Sequence, residues 1–348
     1  MKIKLAVLFG GESSEHEVSL VSASAVIDNI DRDVIDPVMI GITRSGEWYL
    51  YDGTTEDIRN GAWQNGACGR ITLDLAGGGL CADGKHLDVD AVFPVLHGAF
   101  GEDGTVQGML ELAKIPVVGC GSASSAVCMD KAFTKRLLNA EGIPQAPAAI
   151  ITYEEYSTDA EDSLDYAEEG AEGYPIFVKP ARTGSSVGVS KADDREELRT
   201  AMDIAFREDS KVLCEKCIVG REVEVAVLRD ADGTLTVSEC GEIDPGSEFY
   251  DYDTKYKSDT AAYFIPARIP EDIAEDVRAT AEIVFRLLDC RGLSRVDFFV
   301  TDEGFVFNEI NTLPGCTPIS MYPKMMEHSG VGFSELITRL VREAMARG

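Results

Sequence analysis

A chain of 348 residues exceeds what one compact core usually organises, and about 150 residues per domain predicts two or three lobes. Apolar residues make up 45% and charged residues 27%, which excludes a disordered chain, and no continuous apolar run is long enough to span a bilayer. Acidic residues outnumber basic ones 61 to 32, for a net charge of −29, so most of the surface repels nucleic acid and anionic lipid. A small anionic ligand stays compatible, because exterior charge is screened beyond about 8 Å. The nine cysteines form no disulfide framework, and Cys214 and Cys217 make a C-x-x-C without a second pair at zinc-finger spacing, so free thiols are expected.

The chain opens on a buried-strand run, Ile3 to Phe9, which stops at Gly10-Gly11, too short for a signal-peptide core. A cytoplasmic protein is expected. Ser14 to Glu17 reads as a capping box opening a helix with Val18, Val21, Ala25 and Val26 on one face. Strands over Ala91–Leu96 and Ile115–Val118 flank a helix through Met109 and Leu112, and up to residue 122 the pattern suits a parallel-sheet lobe. A helix over Lys131–Ala140 is stopped by Gly142 and Pro144. Residues 151–175 carry nine acids and no bases, which reads as a hydrated helix or loop, or else as a partner-binding surface. Ile176–Val178 reads as a strand, a helix capped by Asp193 follows, and Val212–Ile218 and Glu222–Leu228 are further strands. Gly241 to Lys257 is irregular and polar, as a functional loop would be. Pro270 starts a helix, a hairpin follows, and the last helix runs from about Ser334 to Met345.

In the hairpin, Arg295–Val300 and Phe305–Asn311 flank Asp302-Glu303-Gly304, taken as a three-residue loop. That loop would set 299 opposite 307, 297 opposite 309 and 295 opposite 311, all on one face. Arg295, Asp297, Glu309 and Asn311 then converge. Two carboxylates and an amide oxygen suit Mg²⁺ shared with phosphate, although a polar exposed sheet face would carry the same residues. Phosphate needs further donors, and neither a Walker A loop nor a dinucleotide fingerprint is present. Gly184-Ser185-Ser186-Val187-Gly188, with Lys179 just before it, is either a phosphate-cradling loop or an ordinary turn.

Six segments taken together decide between these alternatives: Glu15-His16-Glu17-Val18-Ser19, His97 to Gly104, Lys179-Pro180 with Gly184 to Gly188, Glu222-Val223-Glu224-Val225, Phe249 to Tyr252 with Lys255-Tyr256, and Asn308 to Gly315. In type and order they resemble the D-alanine:D-alanine ligase family of the ATP-grasp superfamily. The resemblance implies an α/β and α+β fold: an N-terminal parallel-sheet lobe (1–122) holding the first D-alanine, a central lobe (123–220), and a C-terminal lobe (221–348) with the metal ligands and lid loop. It implies ATP and two Mg²⁺, which Mn²⁺ can replace, as well as a homodimer that binds neither membrane nor nucleic acid.

Residue by residue, the resemblance gives Lys131 and Lys179 to the nucleotide phosphates, Glu215 to the adenine and ribose, and Lys255 to the γ-phosphate. Glu222 would hydrogen-bond with Ser185 and Tyr256 to hold the loop shut. Glu15 would bind the first ammonium, with His97 near that subsite and Ser320 at the second carboxylate. Asp297, Glu309 and Asn311 would be the metal ligands. The implied reaction phosphorylates one D-alanine carboxylate and lets the second amine attack the acyl phosphate, with Arg295 and the Gly315 N–H as the oxyanion hole. A D-alanine:D-serine ligase of the same fold is the alternative, and a catalytically idle nucleotide-binding protein the rival from another class. Cys316 departs from the larger apolar residue usual in the family.

Overall fold

The computed structural model describes residues 2–184, 187–244, 262–317 and 319–347. Leu5 to Phe9 are buried on both faces, as an apolar run in a central parallel strand must be. That strand, Ile3–Gly10, runs parallel to Ile35–Ile42 on one side and to Ala91–Pro94 on the other. Beyond Ile35–Ile42 the sheet turns antiparallel, continuing through Trp48–Tyr51, Ala67–Asp74, Gly79–Ala82 and Lys85–Leu87. The expected parallel sheet is therefore a mixed one of seven strands. Its added strands carry many half-buried or exposed residues, which antiparallel pairing permits because one face can meet water. Ile115–Val118 contributes only a parallel bridge, Val92 to Val117, rather than a strand.

A second sheet orders Ser190–Ala192, Ile176–Pro180, Lys211–Lys216 and Ala148–Thr152, with every pair antiparallel. It has its own core, in which Ile151, Leu164, Ile176, Val178, Leu198, Met202 and Val212 meet. The acidic run supplies two helices over this core, Tyr153–Thr158 and Ala160–Gly170. Their outward acids pair with bases from elsewhere; Arg195 alone reaches Glu161, Asp165 and Glu168. The helix Arg195–Glu208 is capped by Asp194, one residue later than expected, because the Asp194 carboxylate is the one that accepts the Glu196 and Glu197 N–H groups.

The third sheet orders Ala262–Phe264, Gly241–Asp244, Arg221–Arg229, Leu293–Thr301 and Gly304–Asn311, with Leu235–Val237 also on Arg221–Arg229. The stretch expected to be irregular thus begins as a strand, and its remainder, 245–257, lies outside the described residues. Helix Glu271–Leu287 buries Val277, Ala281, Val284 and Phe285 against Val223, Val225, Val296 and Phe298. On the other side this sheet shares one core with the N-terminal sheet, where Leu5, Phe9 and Phe93 join Leu228, Leu293, Tyr322 and the last helix, Phe333–Arg347, through Leu336 and Leu340.

The hairpin corrects two expectations. Thr301 pairs with Gly304, so the loop is the two residues Asp302-Glu303, with Gly304 at φ 136°. Phe298 then faces Phe307, and Phe299 faces Val306 rather than 307. A bulge between Asp297 and Phe298 on one strand sets Asn308 between partners on the other and restores 297 opposite 309 and 295 opposite 311. The extra residue also swaps faces. Phe307 lies in the core, 4% exposed, while Glu309, two positions on, belongs to the opposite face.

Candidate active site

The bulge creates the first wall. Glu224, Asp297 and Glu309 are direct neighbours across three strands, and Ala226, Arg295 and Asn311 form the next row. Arg295 Nε donates to Asp297 Oδ1 at 2.8 Å, its Nη2 donates to Oδ2 at 2.6 Å, and Nε is also 3.1 Å from Glu224 Oε1. Burial works against the Arg295 charge, but Asp297, Glu224 and Glu309 outweigh it and raise its pKa well above the ordinary guanidinium value. Asn311 Oδ1 accepts the Leu313 N–H at 3.0 Å. Among the described residues no group of three or more His, Cys, Asp or Glu side chains could hold a metal. Asp297, Glu309 and Asn311 offer only two carboxylates and an amide, so further oxygen ligands would have to come from a bound molecule or water. A set of this kind fits Mg²⁺ shared with phosphates and not a closed protein cage.

The second wall belongs to the central sheet and has the reverse charge logic. Glu215 Oε2 lies 2.6 Å from Lys179 Nζ, and its Oε1 lies 2.9 Å from Lys135 Nζ. Burial pushes the Glu215 carboxyl up, but the two lysines pull harder and hold it at about 2. Burial lowers the Lys179 pKa, and Glu215, with Glu309 and Glu222 behind it, raises it to a net value above the ordinary one. Lys179 Nζ also donates to Asn308 Oδ1 at 3.3 Å, which ties the bulge to the central sheet. Lys131 opens the helix Lys131–Ala140, where the Asp130 carboxylate caps the Ala132 and Phe133 N–H groups and pairs with Lys211. From there Lys131 Nζ donates to the Thr183 carbonyl at 2.8 Å and lies 3.6 Å from Glu309.

The N-terminal sheet supplies the third wall. The Ser14 capping box does not form. The helix is His16–Asn29 with Glu15 at its N-cap and no side-chain cap bond, while Ser13 Oγ accepts the Glu15 N–H at 3.1 Å and donates to the His97 carbonyl at 2.6 Å. Glu15 therefore points its carboxylate toward Gly98 and Gly184. A Cβ on Gly98 would lie 2.6 Å from Glu15 Oε2, and one on Gly184 would lie 3.3 Å from it. With φ at +74°, Gly98 is a position that only glycine fills without strain. His97 is buried, with Nδ1 3.3 Å from Glu102 Oε1 and Nε2 2.9 Å from Ser22 Oγ. Burial lowers the His97 pKa, but Glu102 and Glu15 raise it above the ordinary value, while burial and Glu15 raise that of Glu102.

One cavity joins the three walls, and Glu15, His97, Lys131, Arg295, Glu309, Asn311, Gly315 and Ser320 all line it. Lys179 and Glu215 line an adjoining recess together with Lys131 and Glu309. Ser320 Oγ accepts the Thr317 N–H at 3.1 Å, and a Cβ on Gly315 would sit 2.8 Å from it. Asp297 is brought near but does not line the cavity, since both its oxygens are turned to Arg295. Glu222 lies on the strand of Glu224, two residues earlier. Ser185, Lys255 and Tyr256 lie outside the described residues. Cys316 is 4% exposed in the shared core, and burial lifts its thiol to about 12. All nine cysteines are free. Sequence reasoning assigned no role to Glu102, Lys135, Glu224 or Asn308. Lys135, four residues after Lys131 on one helix face, and Glu224, two after Glu222 on one strand face, were findable from period alone.

Family models for the N-terminal and C-terminal parts of D-ala D-ala ligase match residues 4–120 and 137–342. The D-alanine–D-alanine ligases of Caldicellulosiruptor bescii and Acetivibrio thermocellus are 46% and 48% identical, each alignment covering 99% of this chain and 96% of the relative. Among solved structures, the VanG D-Ala:D-Ser ligase from Enterococcus faecalis superposes with a TM-score of 0.89 at 41% identity, covering 99% of this chain and 100% of that one. The D-alanine–D-alanine ligase from Coxiella burnetii gives 0.86 at 34% identity, covering 99% and 94%. The chain belongs to the D-alanine–D-alanine ligase family, and its mixed α/β architecture is that family's ATP-grasp fold.

Proposed function

We propose that the protein joins two D-alanines into D-alanyl-D-alanine for peptidoglycan precursor synthesis, using ATP and passing through D-alanyl phosphate. One observation carries this reading: a buried acid, Glu15, shares a cavity with Arg295, Lys131, Glu309 and Asn311. A carboxylate is a poor electrophile until phosphorylated, and an acyl phosphate needs shelter from water. In this reading Glu15 holds the ammonium of the first D-alanine, with His97 beside that subsite. Lys131 and Lys179 hold nucleotide phosphates, and Glu215, fixed between Lys135 and Lys179, faces the adenine and ribose. Arg295 and the Gly315 N–H take the negative charge that develops at the attacked carbonyl. Ser320 takes the second carboxylate. Mg²⁺, or Mn²⁺ in its place, would be held by Asp297, Glu309 and Asn311 and would supply charge neutralisation at the transferring phosphoryl oxygens. Ser185, Tyr256 and Lys255 complete the reading as loop-closing and γ-phosphate groups.

The same reading includes a homodimer, a cytoplasmic location, and lobes spanning 1–122, 123–220 and 221–348, of which the last is supported by the three separate sheets. Among the described residues no helix is long and apolar enough to cross a membrane.

The similarity to a D-Ala:D-Ser ligase favours a second reading, D-serine as the second substrate. Product analysis separates the two: purified protein is given ATP, Mg²⁺ and equimolar D-alanine and D-serine. We expect D-alanyl-D-alanine to dominate; D-alanyl-D-serine as the main product overturns the substrate assignment, and no D-alanine-dependent ADP release overturns the enzyme reading.

A further inference from the structure

Arg295 Nε carries one hydrogen and donates it to Asp297 Oδ1 at 2.8 Å, while a second carboxylate oxygen, Glu224 Oε1, lies 3.1 Å from the same nitrogen. Asp297 also spends its second oxygen on Arg295 Nη2. Asp297 does not line the cavity, so turning one of its oxygens to a cation there loosens part of this fork. Glu224 stands directly across from Asp297 on the neighbouring strand, and its side chain is only 8% exposed. A buried carboxylate is costly in a site built to receive phosphates and carboxylates, unless its charge serves a neighbour.

We propose that Glu224 is a positioning residue for Arg295: it takes over the Nε–H when Asp297 turns to a divalent cation, so the guanidinium keeps its place while Asp297 is released. This inference rests on the proposed ligase reading and deepens it. Without Glu224, Asp297 stays locked to Arg295 and a cation must break that pair to bind. An acceptor at this position is what matters, so a glutamine, whose amide oxygen can still accept the Nε–H, retains much of the effect.

The test is binding of Mn²⁺ in the presence of ADP, followed by the electron paramagnetic resonance of free Mn²⁺, with thermal melting alongside. Glu224→Ala is expected to weaken Mn²⁺ binding by about tenfold or more, the scale of one charged hydrogen bond, and Glu224→Gln by about threefold or less. Glu224→Ala should also lower kcat more than it raises KM for ATP. Equal weakening in the alanine and glutamine variants reduces Glu224 to a source of field and overturns the proposal, as does unchanged binding in both. If Glu224→Ala does not fold, Glu224→Asp takes its place: too short to reach Nε, it is expected to weaken Mn²⁺ binding more than glutamine does, and the reverse order overturns the proposal. Wild-type protein that binds no Mn²⁺ with ADP overturns the ligase reading itself, whereas normal wild-type binding with unaffected variants overturns only the role of Glu224.

Discussion

The central and C-terminal walls of the cavity solve opposite problems with mirror-image charge sets. On the central sheet one carboxylate, Glu215, is held between two lysines, leaving a surplus of positive charge. On the C-terminal sheet one guanidinium, Arg295, is held between two carboxylates, leaving a surplus of negative charge. In each case the minority charge sits between the majority pair; Glu215 is buried and Arg295 half-buried. Under the proposed function, phosphate and cation binding then meet in one cleft although the chain as a whole is strongly acidic.

Breaking the C-terminal set has the largest expected effect. Arg295→Met removes the base between two buried acids, and we expect kcat to fall by about 10²–10³-fold, the usual cost of removing an oxyanion donor. The variant should also lose about 3–5 kcal/mol of stability, because the buried carboxylates of Asp297 and Glu224 both lose their ion pair to Arg295. ADP release and thermal melting measure the two losses. On the central wall, Lys179→Met leaves Glu215 with Lys135 alone. We expect KM for ATP to rise about 10- to 100-fold, from the loss of one charged contact to phosphate, with a smaller fall in kcat, as steady-state kinetics would show.

What sequence could and could not convey follows the same division. Asp297, Glu309 and Asn311 were legible as a set because strand period two and a nearby turn nearly fix a hairpin's register. The three-residue turn was wrong and yet gave the right pairs, since the bulge at Asn308 adds the one residue that the shorter turn leaves out. Nothing in the local pattern distinguishes those two ways of reaching one register. Phe307 was misplaced as a result, and the bulge's tie to Lys179 went unseen. The antiparallel extension through Trp48 to Leu87 was missed because its short strands alternate weakly. The core shared by Phe9, Tyr322 and Leu336 joins residues more than 300 positions apart, which periodicity cannot register. The Ser14 box failed because Ser13, bonded to the His97 carbonyl, supplies the hydroxyl that meets the Glu15 N–H.

A pH experiment sharpens the comparison with a smaller effect. Glu215 sits at about 2 in the fold against an ordinary 4.5, so its contribution is fully present above pH 4.5 and is lost as pH falls toward 2. We expect about 3 kcal/mol from this pair, counting the Lys179 shift as the same interaction. Denaturant unfolding between pH 5 and 2 should decline less steeply for Glu215→Gln than for wild type; equal slopes would show that the lysine clamp adds nothing. His97 runs the other way. Its raised pKa favours the fold at low pH, and that share is lost as pH rises through the folded value, above 6.5. The smallest effect belongs outside the cleft: Arg195→Ala removes the exposed pairs with Glu161, Asp165 and Glu168. Turnover should be unchanged, with the melting temperature moving by about two degrees at most.

The decisive measurement follows oxygen. D-Alanine labelled with ¹⁸O in its carboxylate is turned over with ATP, and the inorganic phosphate is analysed by mass. Phosphoryl transfer to the carboxylate leaves the bridging oxygen on phosphate when the second amine displaces it, so one ¹⁸O per dipeptide is expected in the phosphate. Dipeptide formed with unlabelled phosphate would contradict the acyl-phosphate route that the cavity is read as serving.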